Sequence, residues 1–435
     1  MNARRALSSL VIILPLLMCS CATVKNDEGG SDYRKSIRRL QERLVTNPQD
    51  VESLRDLGVI YFQTKQYKQA KEYLKKASEL NSNDAKTMFY FGMTLESENN
   101  KKGALAVYIN YTDFSALSSY RKLMEGRYQA LTRELIQEQF RTLIAQEETL
   151  TKKELPRNSV AVFPLVYQGK DTKFSSLGLG LSEMMIIDLA KVKKLKLIER
   201  IRVDELMNEL RFGASSAVDP TTAPRLGRFL TAGRIVGGTF NVSDDNSLRL
   251  DVASLDVTSN KGPQAVSEAD ALDNLFKIEK EIVFKVIKDM GLPVSREERE
   301  SIQSIPTKNL QAFFAYSLGL EKEAAGDFEA AGVYYKQAGS LDPSFGPAVG
   351  KAGSAEALSL AGGSKEKALA SAYKADPPPK PDATGTSLVT DRVGKLQNGI
   401  GSGFMPGEDS RKPAEEAANS GAPVGELPAA PPPPK

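Results

Sequence analysis

The sequence has no histidine and only two cysteines, Cys19 and Cys21, both near its start. Without an imidazole there is no His-ligated zinc site, no Ser-His or Cys-His dyad and no imidazole acid–base pair. With both thiols at the N-terminus, the body of the chain holds no disulfide framework and no four-cysteine metal site. Excess charge is missing too. Lys plus Arg number 58 and Asp plus Glu 55, a net of +3, which argues against a dedicated nucleic-acid binder. Long apolar runs are scarce. The longest, Ala6 to Met18, spans 13 largely apolar residues, fewer than the roughly 20 that a membrane-spanning helix needs. These absences point away from an enzyme and from any cofactor or metal, and towards a protein that works by shape and contact.

What is present fits several domains. The chain has 435 residues, of which 41% are hydrophobic and 26% charged. At about 100–200 residues per domain this is roughly three domains, most of them able to bury a core.

The N-terminus reads as an address. Arg4 and Arg5 precede the apolar run, and small residues follow it, the layout of a secretory signal. Met18-Cys19-Ser20-Cys21 resembles a bacterial lipobox, with Cys21 the better acceptor because Ser20 is small. The resemblance implies cleavage after residue 20 and lipidation of Cys21, so that several acyl chains anchor the chain. Ala22 stands where an inner-membrane retention signal would have Asp. The lipoprotein family therefore implies the periplasmic face of the outer membrane of a Gram-negative bacterium. Residues 1–20 are then the signal peptide and 21–32 a polar tether.

A repeat of 34 residues follows. Leu54, Leu57, Gly58 and Tyr61 are answered by Met88, Phe91, Gly92 and Leu95, and Ala70 by Ala104. A third copy has Ala315, Leu318, Gly319, Ala331, Tyr335, Ala338 and Pro343 in the same register. The pattern resembles the tetratricopeptide repeat, a pair of helices crossing closely at the small residues. Residues 33–114 form one repeat block and 293–374 another. Each is short, so each is expected to dock on neighbouring helices. The inner groove of such repeats is lined here by Arg55, Val59 and Phe62, then Phe89, Met93 and Glu96. Two kinds of occupant compete for it: a partner peptide held on these apolar anchors, or the chain's own long helix or another domain.

Between the blocks, residues 115–155 read as a bridging helix with Leu117, Tyr120, Met124, Tyr128, Leu131, Leu135, Phe140, Leu143 and Leu150 on one stripe. That stripe either caps the repeats or pairs two chains as a coiled coil. Residues 156–292 alternate strands with helices, an α/β domain with a mixed sheet. Arg234 to Val242 and Ser247 to Val257 are expected to form a hairpin, and Lys196 to Glu199 a short strand. The opening Val160-Ala161-Val162-Phe163-Pro164, Glu199-Arg200 with Val203-Asp204-Glu205-Leu206, Gly227-Arg228 with Ala232, and Leu248 to Val257 resemble, in order, the curli-secretion (CsgG-like) family and the TolB N-terminal domain. That resemblance implies an outer-membrane lipoprotein of curli-like assembly, protein transport or export, in which a homo-oligomer stays open. The turns around Asp244 and Ser259 are too short for membrane hairpins, which need strands of about 9–11 residues.

Other features have plain structural readings. Gly178 and Gly180 could open a phosphate loop or a close-packed helix start. Glu199, Asp204 and Glu205 could pair as acid and base or serve as helix-end acids. Lys191, Lys193, Lys194, Lys196, Arg200 and Arg202 form a basic run, facing lipid, an acidic partner or solvent. Residues 375–435 hold 12 of the 23 prolines and read as a disordered Pro-rich tail. The expected architecture is thus α+β and multidomain, with helical repeats flanking a mixed-sheet domain. The expected function is a non-catalytic scaffold for a periplasmic or outer-membrane protein partner. A secretion-channel subunit or an envelope enzyme would be the alternatives.

Overall fold

The computed structural model describes residues 30–376 apart from 151–153, 212, 215–216, 218, 220 and 260–261. The signal peptide, Cys21 with most of the tether, and the Pro-rich tail lie outside the described residues.

The first block is helical: α1 (Gly30–Thr46), α2 (Val51–Gln63), α3 (Tyr67–Leu80), α4 (Ala85–Ser97) and α5 (Lys101–Tyr108). A 34-residue period is written into its packing. A Cβ on Gly58 would overlap the Leu74 side chain, and one on Gly92 would overlap the Tyr108 ring. Ala70 and Ala104 are fully buried. The turns repeat as well, because Lys65 and Asn99 both have left-handed backbone, at φ 60° and 61°. Asp84 caps α4 by accepting from the Lys86 and Thr87 amides, and Asn100 caps α5 through the Gly103 amide.

The bridging segment is shorter than its stripe predicts. Helix α6 runs Ser119–Ala145 and a one-turn α7 covers Glu147–Leu150. Leu117, counted on the stripe, sits in the turn before α6 and is 97% exposed. The stripe itself does hold: Tyr120, Met124, Leu131 and Phe140 are buried.

Next come β1 (Ser159–Val162), β2 (Val166–Tyr167), α8 (Leu177–Leu189), β3 (Lys196–Leu197), α9 (Arg200–Leu210), α10 (Ala223–Leu230), β4 (Arg234–Val242), β5 (Ser247–Asp256), β6 (Gln264–Ala271) and α11 (Leu275–Asp289). The sheet order is β3-β1-β4-β5-β6, with β2 beside β4. β1 runs parallel to β3 and β4, and β4-β5-β6 is an antiparallel meander. The sheet is therefore mixed. Alternate residues feed two cores. Val160, Val162, Val236, Phe240, Leu250 and Val252 pack with α8 and α11. Ala161, Phe163, Ile235 and Leu255 pack with α9, α10 and the C-terminal half of α6, through Ile136 and Phe140.

The last block is α12 (Arg296–Gln303), α13 (Leu310–Ala324), α14 (Phe328–Leu341), α15 (Gly346–Ala361) and α16 (Lys365–Ala375). The third repeat occupies α13 and α14. Gly319 lies against the Tyr335 ring and Gly326 takes the left-handed turn at φ 78°. Helix α13 packs on α8, and Phe313 meets Phe276 edge-on at 4.9 Å. Helices α15 and α16 lie along α6, where the Gly126 backbone meets the Ala357 carbonyl. Ala361, Ala368 and Ala372 thereby join the core of the first repeat block. The two blocks, far apart in sequence, close on one another around α6.

Candidate functional site

The six groove residues come together on α2 and α4, as their spacing predicts, but the groove is not open. Phe89 and Met93 are fully buried, and Val59, Phe62, Glu96 and Arg55 are no more than 9% exposed. The chain's own helices fill the face: Tyr120, Leu123 and Met124 of α6, with Ala368 and Ala372 of α16. Aromatic edges lock it. Phe62 lies 5.6 Å from Tyr90, Phe89 5.3 Å from Tyr90, and Phe89 5.5 Å from Tyr120. Of the two kinds of occupant, the long helix together with the C-terminal block is in place. Arg55, Val59, Phe62, Phe89, Met93 and Glu96 are internal packing residues in this conformation. The physical reason is that a block this small leaves its inner face wet unless another element covers it.

Charges inside the closed groove are paired. Arg127 of α6 donates to both Glu96 oxygens, at 3.0 and 2.6 Å, and to the Ala361 carbonyl at 3.2 Å. Tyr108 donates to the same Glu96 at 2.9 Å. One buried ion pair thus ties the first block, α6 and α15 together. Burial, and then the Glu96 charge, push the Tyr108 hydroxyl well above its ordinary pKa. Arg55 reaches Asp56 and Asp84, each at 3.0 Å. Burial opposes ionisation of Asp84. Arg55 and the Thr87 hydrogen bonds outweigh it and hold that carboxyl below its usual range.

At the mouth of the groove, Asp376, just past α16, accepts from Lys86 at 2.8 Å and from Tyr120 at 3.1 Å. Burial raises the Tyr120 hydroxyl, as do the nearby Tyr90 and Asp376.

A second concavity lies where α6, α8, α9, α13 and α15 meet. It is a polar cleft of about 280 Å³, lined by Arg133, Glu183, Arg200, Asp204, Glu323 and Lys351 among others. The acids weighed from sequence fall in or beside it. Asp204 and Glu183 accept from Arg200 at 3.1 and 3.2 Å. Glu205 pairs with Arg133 at 2.9 Å and accepts from Gln137 at 2.7 Å. Glu323 takes Lys351 at 2.9 Å and the Tyr335 hydroxyl. Burial lifts the Asp204 carboxyl above its usual range despite Arg200. These acids meet cations along a polar seam between elements.

The remaining sequence candidates are dispersed. Gly178 and Gly180 are packing positions, because a Cβ at either would overlap the Leu165 carbonyl or the Ser317 hydroxyl. The basic run splits. Lys191 pairs with Asp188, Arg200 enters the cleft and Arg202 lies over the Phe140 ring at 5.2 Å, while Lys193, Lys194 and Lys196 are exposed. Sequence reasoning missed a buried set between α8 and α11. There Lys280 meets Asp188, and stands 3.3 Å from Glu279. Burial raises the Glu279 carboxyl to about 8, against the pull of Lys280. No spacing rule marks such a set, since its members lie on two helices. Arg127 was more visible, three residues beyond Met124 and so on the apolar stripe.

Comparison with known proteins adds one family. The model of the tetratricopeptide repeat matches residues 51–84, the span of α2 and α3. No curated protein matches the chain. Among solved structures, the chain is similar to the C-terminal domain of LpoB from Salmonella enterica at 12% identity and a TM-score of 0.23. The likeness covers 29% of this chain and 91% of that one.

Proposed function

We propose that the chain is a non-catalytic, lipid-anchored scaffold at the periplasmic face of the outer membrane, where it holds an envelope protein during assembly or export. The tetratricopeptide repeat carries this reading, since such repeats serve as protein-binding frames. The Cys21 lipobox supports the anchor. The ordered motifs between Val160 and Val257 support kinship of the mixed-sheet domain with the CsgG-like and TolB N-terminal families. The pairing of acids with cations in the polar cleft supports a role without turnover.

Two measurements test it. Intact mass and membrane fractionation of the exported chain should show an acylated N-terminal Cys21 in the outer membrane, and Cys21→Ala should release the chain. An acyl-free chain in the soluble fraction would end the anchoring reading. The groove, if it is the partner's seat, should open when α16 is displaced. An envelope protein bound by the full chain should then bind Ala372→Glu more tightly. Unchanged affinity would remove the groove from the reading.

A further inference from the structure

Helix α1 carries a cationic face turned away from α2. Its apolar stripe, Tyr33, Ile37, Leu40 and Leu44, packs against Leu57 and Ile60 of α2. At 100° per residue the opposite face carries Arg34, Lys35, Arg38, Arg39 and Arg43, all exposed. Glu42 is the one acid between Tyr33 and Thr46. It pairs with Arg38 at 3.1 Å, and Arg43 reaches Asp50 at 3.3 Å. The Arg38–Glu42 pair is exposed on both sides, and such a pair competes weakly with a surface of many negative charges. Val45, at the end of the same face, is 85% exposed.

The position of this face identifies what it meets. Only eight residues separate Cys21 from Gly30, nine chain steps with a reach of at most about 32 Å at full extension. A chain anchored at Cys21 therefore keeps the start of α1 within that distance of the bilayer. We propose that the cationic face of α1 docks on an anionic lipid headgroup surface, the bilayer that holds Cys21; this rests on the acylation reading. Acyl chains and a basic patch are two signals that reinforce one another. Docking would also orient the repeats, because α1 is fixed to α2 through its apolar side.

The test separates the patch from the acyl group. The chain from Ala22 onward lacks the acylated residue but keeps every described helix and strand. It is sedimented with phosphatidylcholine vesicles, with or without phosphatidylglycerol as the minority lipid. Binding is expected only with phosphatidylglycerol, and raised salt should weaken it. Arg38→Glu with Arg39→Glu should weaken it about tenfold or more. Lys193→Glu with Lys194→Glu, an exposed basic pair elsewhere, should leave it intact. Equal partition into both lipids would overturn the proposal, as would loss with the Lys193/Lys194 pair but not with the Arg38/Arg39 pair. Failure of acylation would show in the intact mass of the full chain and leave this result standing.

Discussion

Arg127 shows how a single residue can join parts of the chain that lie far apart in sequence. It sits on the apolar stripe of α6, nearly inaccessible, with Glu96 as its partner. Removing one member of a buried pair strands the other charge, at a cost of about 3–5 kcal/mol. Arg127→Ala should lower stability by that order in denaturant melts. Arg127→Met with Glu96→Leu should recover most of the loss, because no charge is then left unmatched. Glu279 gives a pH signature. Its folded pKa, near 8, lies above the ordinary carboxyl value of 4.5. The folded chain therefore holds a proton there that the unfolded chain releases. Stability is lost as pH rises from about 4.5 to about 8, and is flat in this respect above that. Lys280 stands beside it, and Asp188 meets both Lys280 and Lys191. Comparing denaturant midpoints at the two ends of the window, Glu279→Gln should show a shallower decline than the parent. An identical slope would mean that Glu279 is ionised throughout. Neither residue was legible as a functional partner in sequence, since each is defined by a neighbour from a distant helix.

At the scale of elements the sequence was far more informative, because periodicity and small residues act locally. Gly58, Gly92 and Gly319 each stand where two helices cross, and the aromatic or leucine side chain opposite them leaves no room for a Cβ. Gly92→Val should cost about 1–3 kcal/mol through overpacking against Tyr108, read as a drop in melting midpoint. A substitution without effect would mean that α4 and α5 can slide apart. The helix turns carry the same period, and only the third copy places glycine at its left-handed position. The mixed sheet was legible from its alternation and hairpin signals. What was not legible was the break after Ala145, or the start of α6 at Ser119 rather than Ser115. Residues 115–118 are polar or small apart from Leu117, and nothing in their pattern distinguishes a first helical turn from the loop before it.

In the whole molecule, the groove residues were placed correctly on α2 and α4, yet their exposure depends on α6 and on α16, almost 300 positions downstream. Spacing within one segment carries no such information. The closure also divides unequally between its two covers. Helix α6 enters two cores, that of the first repeat block and that of the sheet with α9 and α10, and also packs along α15, so it cannot leave without unfolding. Helix α16 is the last described element, held by Ala368, Ala372 and the Asp376 contacts to Lys86 and Tyr120. Local opening is drawn from elements with few buried contacts, so α16 is the cover that can lift. Ala372→Glu places a charge in the packed contact and should release it. Amide exchange in α16 should then accelerate to the unprotected rate, and protection at the α2 and α4 face should fall. The sheet strands should keep their protection. If exchange at Phe89 and Met93 stays as slow as in the parent, α6 alone seals the groove and a partner must be sought on the outer surface of the repeats. If the strands lose protection too, α16 is part of one cooperative unit and the groove opens only with the whole fold.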